Sequence, residues 1–380
     1  RKQEMSKFLL KIPKYLFLLM LTGLNLLSVA AMNVCAYSSW LRPQVHPNVS
    51  FLGLLFPFTL AATLVFIPVW FILGILGMRI DGGGRRRSAY WGTLISLAGM
   101  LCCASSIRTY CPLNFPSEAP DGALKVLSYN VFSLSNPDKL PWEEHPVICY
   151  LNDCEADIAC LQEVGALRRK EVEPLVAEKY PYRHFDVVHG STYACLSRFP
   201  IVGMQVIDFK SNTNGAVAYD IVTDRGDTLC VLNLHLESYK LRESDREEYR
   251  DLIRNHDKDH VRHNVLSLRK KLIAANPIRG RQTDAVAAFI EQCPRRYIIC
   301  CGDFNDAPIS YAHHRLTRLL DDAYTRSGNG PGLSYNRSGM YFRIDHILCS
   351  PSMRAYGAVV DNSIDQSDHY PIFAWLELQK

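Results

Sequence analysis

Apolar and polar positions are distributed along this chain in two different ways. Over the first 108 residues the apolar positions fall in blocks. Residues 15–36 (YLFLLMLTGLNLLSVAAMNVCA), 51–78 (FLGLLFPFTLAATLVFIPVWFILGILGM) and 89–107 (AYWGTLISLAGMLCCASSI) carry no charge. Each is near the ~20 residues that a helix needs to cross a bilayer, so the pattern predicts three transmembrane helices. From Leu124 onward the apolar runs are short and rich in β-branched or aromatic residues, the signature of strands. Among them are LKVLSYNVF, DIACLQEV, TLCVLNLHLES, RYIICCGDFN, RIDHILCS and YPIFAWLEL. Helical patterns at 142–153 and 281–293 precede two of these runs. Two packed sheets with helices outside would accommodate them. The stretch CPLNFPSEAPDGA, with three prolines, reads as a linker between the parts. The division is therefore 1–108 membrane region, 109–123 linker and 124–380 globular domain.

Charge sharpens that division. Residues 1–108 hold eleven Lys and Arg against two acids, which leaves 31 basic and 36 acidic residues for the rest of a chain totalling 42 and 38. Positive loops stay cytoplasmic. The N-terminal tail (Arg1, Lys2, Lys7, Lys11, Lys14) and the loop with Arg79, Arg85, Arg86 and Arg87 are basic, whereas the first loop has only Arg42. Three spans then place residues 109–380 on the outer side, the periplasmic face of a bacterial inner membrane. A cleaved signal peptide is the alternative for the first run. Thirteen cysteines, nine of them in 124–380, show no CxxC pair or zinc-like spacing and sit mostly in apolar runs, as small buried hydrophobes. Residues 239–280 stand apart as a mixed-charge insertion, either a solvated helical face or a lid over a substrate.

Several strands end at a polar residue. Asn130 closes SYN, Glu163 closes CLQE, His235 lies in LNLHL, and Asp303 and Asn305 follow IICCG. Asp345 lies in RIDHI, and Asp368 and His369 lie in SDHYP. A carboxylate beside a buried strand is costly unless it is paired, so Asp303 raises the question of what it awaits. The run GGGRRR lacks the Lys-Ser/Thr of a phosphate loop and reads as a topogenic loop.

The ordered set YN, QE, LHL, GDFN, RIDHI and SDHYP resembles the endonuclease/exonuclease/phosphatase superfamily over about residues 124–379. The resemblance implies an α+β fold, the deoxyribonuclease I-like four-layer αββα sandwich, with the active site where strand ends and loops meet. It implies a divalent cation, Mg²⁺ or Mn²⁺, with Glu163 as main ligand and Asn130 and Asp368 nearby, a set of oxygen donors that Mg²⁺ accepts. His369 would be general base or phosphate-contacting imidazole, oriented by Asp345. Asp303 would position or deprotonate the attacking water, Asn305 would hold the phosphate, and His235 would stabilise the phosphate or protonate the leaving oxygen. The base role stays open between Asp303 and His369.

The implied activity is a membrane-anchored, metal-dependent phosphoester hydrolase of phosphodiesterase or nuclease type. Its substrate classes are phospholipid, nucleic acid or a small phosphodiester or inositol phosphate, its other partner is the bilayer, and no protein partner is evident. The acidic balance of 109–380 argues against a general nuclease, which usually carries a basic face. The contrasting reading is a membrane-anchored scaffold with an inactive hydrolase domain. Its mark would be loss of Glu163, Asp303 or His369, and all three are present.

Overall fold

The computed structural model describes residues 12–76, 79–82, 85–88, 90–240, 258–337 and 341–379. The chain forms two compact units: Arg1–Ser39 with Leu52–Ile107, and Trp40–Phe51 with Arg108–Lys380.

In the first unit, helices α1 (Ile12–Tyr37) and α2 (Phe56–Ile75) are long and apolar enough to cross a membrane. The third apolar run departs from expectation. It is broken into α3 (Tyr90–Cys102) and α4 (Ala104–Tyr110), bent by 71°. At the break Cys103 N reaches back to Met100 O, an i−3 bond in place of the helical i−4. Absence of charge thus marked an apolar run but not an unbroken helix. The basic loop holds a two-stranded hairpin, β1 (Arg79–Gly82) and β2 (Arg85–Ser88). Small residues let the helices approach: a Cβ on Gly92 would fall on the Trp70 ring, and one on Gly99 on Val29. Asn25, fully buried, donates to Gly92 O and accepts from Ser96 Oγ, each at 2.9 Å. Such polar bonds join apolar helices to one another.

In the second unit two six-stranded sheets lie face to face. One has the order β13 (Met353–Val360), β14 (Ile372–Leu378), β3 (Leu124–Asn130), β4 (Ile158–Gln162), β6 (Ser191–Ser197), β5 (Tyr182–Val188). The other runs β11 (Asp321–Asp322), β12 (Asp345–Cys349), β10 (Tyr297–Asp303), β9 (Thr228–His235), β8 (Gly215–Val222), β7 (Ile201–Val206). Both faces of the central strands are covered, which explains their continuous apolar runs. In β10, Tyr297, Ile299 and Cys301 enter the core between the sheets with Val126, Cys160 and Val231. Ile298 and Cys300 face outward onto α7 (Lys258–Gln292) and α8 (Tyr311–Thr317), through Val286, Ile290 and Leu316. The other sheet turns Leu127, Tyr129 and Leu161 onto α5 (Pro146–Asp153) and α6 (Arg169–Leu175). The result is the four-layer αββα sandwich.

Two local readings change. The helix expected at 281–293 begins at Lys258, so the insertion is helical from there, while its residues 241–257 lie outside the described residues. The proline-rich linker is extended but pinned: Asn114 donates from Nδ2 to Gly328 O at 2.6 Å and from its backbone N to Asn329 Oδ1 at 2.7 Å. All the cysteines are free thiols.

Candidate active site

The parallel pairs β3–β4 and β9–β10 place four strand ends side by side. Asn130 lies opposite Gln162, whose successor is Glu163, and His235 lies opposite Asp303. Asp345 begins β12, which runs antiparallel to β10 and pairs Asp345 with Asp303. His369, before β14, is bridged to Tyr335. Residues distant in sequence are thus gathered where the two sheets end. Gly302 is part of that assembly. Its φ is +141°, and a Cβ there would lie 2.0 Å from Leu234 O. Its absent side chain serves the close approach of β10 to β9 rather than a turn, because the strand continues through Asp303.

Asp303 is the centre of the site and only 1% exposed. Its Oδ2 accepts from Asn130 Nδ2 at 3.1 Å and Asn305 Nδ2 at 3.2 Å, and its Oδ1 from Asn305 N at 2.7 Å. His235 Nε2 stands 3.5 Å and His369 Nε2 3.7 Å from Oδ2. Burial raises the Asp303 carboxyl above its usual range, against the pull of the two imidazoles. His369 donates from Nδ1 to Asp345 Oδ2 at 2.7 Å. Burial disfavours its charge, but the Asp345 and Asp303 carboxylates outweigh that and push the imidazole up to about 10. Asn305, at φ +51°, also donates to Leu236 O at 2.9 Å, so its amide ties the two loops together.

Glu163 differs from the other acids. Its side chain is 32% exposed, so it forms the open side of the site. Its Oε1 is 3.2 Å from Asn130 Nδ2 and 3.5 Å from His235 Nε2. Asp368 is buried, and its carbonyl accepts from Asn336 N at 3.1 Å. Of the eight candidate residues, seven thus meet through side-chain contacts, and Asp368 adjoins them through His369. Four carboxylates against two imidazoles leave an excess of negative charge with oxygen donors, a set suited to a hard divalent cation. Asp303, Asp345 and His369 bring ligand atoms within 4.8 Å of one another, and the buried Asp345 Oδ1 has no hydrogen-bond partner among the described residues.

The supporting residues were less visible in the sequence. Ser367 donates to Asn130 O at 2.7 Å and accepts from His369 N at 3.2 Å, coupling the first motif to the last. Ser334 Oγ accepts from both Ile344 N and Asp345 N, at 3.0 and 3.1 Å. Beneath the site Gln162 Nε2 donates to Asn233 Oδ1 across the sheets at 2.7 Å. Ser367 and Gln162 sit inside the motifs SDHYP and QE, a signal that position alone offered. Ser334 carried none.

A family model described as the Endonuclease/Exonuclease/phosphatase family matches residues 127–369. A second, a domain of unknown function (DUF8431), matches residues 15–75. No match is found among the curated proteins. Among solved structures, D. rerio TDP2 complexed with single strand DNA product is 18% identical, with 68% of this chain and 100% of that chain covered and a TM-score of 0.50. The endonuclease/exonuclease/phosphatase family protein from Bacteroides thetaiotaomicron is 16% identical over 68% of this chain and 98% of its own, at a TM-score of 0.47. The human Nocturnin catalytic domain with bound sulfate anion is also 16% identical, over 68% and 94%, at 0.47. Likeness at such identities bears on the fold, while the family model covers well over half of the chain. The chain belongs to the endonuclease/exonuclease/phosphatase family.

Proposed function

We propose that this protein is a membrane-anchored, metal-dependent phosphodiesterase. The observation that carries the reading is Asp303, a buried carboxylate with two asparagine amides and two imidazoles converging on it. A group so placed can align a water for in-line attack on phosphorus. The water's oxygen bonds phosphorus, its proton passes to Asp303, and the bond to the leaving oxygen breaks as His235 protonates that oxygen. His369, held by Asp345, and Asn305 contact the phosphoryl oxygens whose charge grows during the transfer. Glu163, with Asn130 and Asp368, would hold Mg²⁺ or Mn²⁺, which supplies charge neutralisation at the phosphate. The Asn130 amide turns Nδ2 toward Glu163, and half a rotation would offer its oxygen instead.

Neither the family nor the fold selects the phosphoester. The net acidity of residues 109–380 favours a lipid or small phosphodiester over nucleic acid, although the D. rerio TDP2 structure is described with a DNA product. The decisive measurement uses the full chain in detergent, screened against plasmid DNA, RNA, phospholipids and inositol phosphates with and without Mg²⁺. Asp303→Asn and His369→Ala are each expected to lower kcat by about 10²–10⁴-fold. Activity that persists in either variant, or no cleavage of any phosphoester by the parent, rules the reading out.

Connectivity supports one membrane placement. Residues 40–51 lie between α1 and α2 and belong to the hydrolase unit, so the two share one side of the membrane. An even number of crossings must then separate residue 51 from residue 109. With α2 as one, the bent pair α3–α4 supplies the second. The sparse positive charge of the first loop supports the outer, periplasmic side.

A further inference from the structure

The loops that follow the two central catalytic positions are joined by one buried side chain outside the motifs. Arg279, on α7 and 1% exposed, donates from Nε to Glu237 O at 2.8 Å, two residues beyond His235. Its Nη1 lies 3.0 Å from Asp306 Oδ2, one residue beyond Asn305, and donates to Tyr239 Oη at 2.9 Å. Gln282, one turn on, accepts from Glu237 N at 2.7 Å. The guanidinium therefore sets the spacing between the loop after β9 and the loop after β10. Its planar fork offers several donors in a fixed geometry, which a lysine cannot reproduce.

Arg279 is itself covered by a segment outside the endonuclease/exonuclease/phosphatase match. Residues 40–51, the connection between α1 and α2, lie on the same face of α7. Asn276 donates from Nδ2 to Ser50 Oγ at 2.8 Å while its Oδ1 accepts from Arg279 Nη1 at 3.1 Å. Gln44 Nε2 donates to Asp284 Oδ2 at 3.0 Å, and Trp40 stacks on His314 with ring centroids 5.1 Å apart. A hydrogen-bonded chain thus runs Ser50–Asn276–Arg279–Asp306, from the inter-helix segment to the edge of the active site. The fit is tight: a Cβ on Gly280 would stand 2.6 Å from Pro43 Cγ. Pro43, Ser50, Arg279 and Asp306 also line a cavity of ≈ 10 Å³, about one water in size.

We propose that Arg279 is a positioning residue for the phosphoesterase site, and that segment 40–51 is the clamp that holds it. The segment that connects α1 to α2 then acts, within the hydrolase unit, on the loops of the catalytic centre. This rests on the hydrolase reading above for its kinetic arm but not for its structural one.

The test uses the full chain in detergent with Arg279→Gln, Arg279→Lys and Gly280→Ala. Ala is a better helix former than Gly, so Gly280→Ala keeps α7 and displaces only the clamp. Arg279→Gln is expected to lower kcat about 10- to 100-fold with KM little changed, as misplacement of catalytic groups does. Arg279→Lys should recover part of the loss, and Gly280→Ala should lie between parent and Arg279→Gln. Amide hydrogen exchange at residues 236–239 and 303–307 should rise in the same order. A kcat and exchange pattern at parental values in folded Arg279→Gln overturns the positioning role, and the same result in Gly280→Ala overturns the clamp. If Arg279→Gln does not fold, Gly280→Ala and Ser50→Ala decide. If the parent cleaves nothing, the hydrolase reading fails, and the exchange arm still accepts or rejects this one.

Discussion

Gly302 and Asp303 are neighbours with opposite demands. Asp303 needs every partner that the fold can bring, and Gly302 needs nothing at all where a side chain would be. Because the obstacle at Gly302 is backbone, Leu234 O, no rotamer change relieves it. Gly302→Ala is therefore expected to destabilise the hydrolase unit by about 2 kcal/mol or more, through both the positive φ and the enforced separation of β9 from β10. Chemical denaturation of the folded variant measures this, and an unchanged midpoint refutes it. At this scale the sequence was informative where chemistry is local. YN, QE, GDFN and SDHYP named residues that do converge. It was silent where a residue acts through the backbone of a distant loop. Arg279 is spaced like any basic residue on a charged helix, and its role depends on Glu237 and Asp306, which fold alone brings to it.

Among the elements, short helices show how much one cap can carry. Helix α9 (Ala323–Ser327) is too short to persist by propensity. Asp322 caps it, accepting from Tyr324 N at 2.9 Å, from Thr325 Oγ1 at 2.6 Å and from His313 Nε2 at 3.0 Å. Burial alone would raise the Asp322 carboxyl, but the His313 bond and charge carry it well below its usual range. Beside it, burial and His313 hold the His346 imidazole well below its usual value. Both shifts have one sign. The unfolded chain takes up a proton at His346 as pH falls through about 6.5 and at Asp322 through about 3.9, before the folded protein does. Stability should therefore fall as pH falls below about 6.5 and fall faster below about 5. Asp322→Asn is expected to cost about 1–3 kcal/mol at neutral pH and to flatten the lower arm. Melting temperatures of both proteins between pH 4 and 8 test this, and parallel curves contradict it. The elements themselves were legible wherever both faces are covered, as in β10. The third apolar run was not, because composition registers the absence of charge and not the i−3 bond at Cys103.

For the whole molecule, the proposed topology turns on the count of membrane crossings. A phosphatase reporter fused after residue 115 is expected to be active only outside the cytoplasm, and one fused at residue 83 to be silent. An active reporter at 83, or a silent one at 115, would reverse the orientation. Charge asymmetry between loops is what the sequence offers for the proposed side, whereas the packing of residues 40–51 with the hydrolase was beyond its reach, since no local pattern marks it. That packing has a consequence for how the protein is made. Gln44 and Asp284 lie 240 positions apart. At ~5–20 residues per second, synthesis leaves the segment without its partner for tens of seconds. On the proposed membrane reading, helices α1 and α2 would be inserted long before the connection between them has anything to hold. A defect in that connection should leave insertion untouched and slow the last stage of maturation, so that it surfaces as protease-sensitive, membrane-integrated chain rather than as failed targeting.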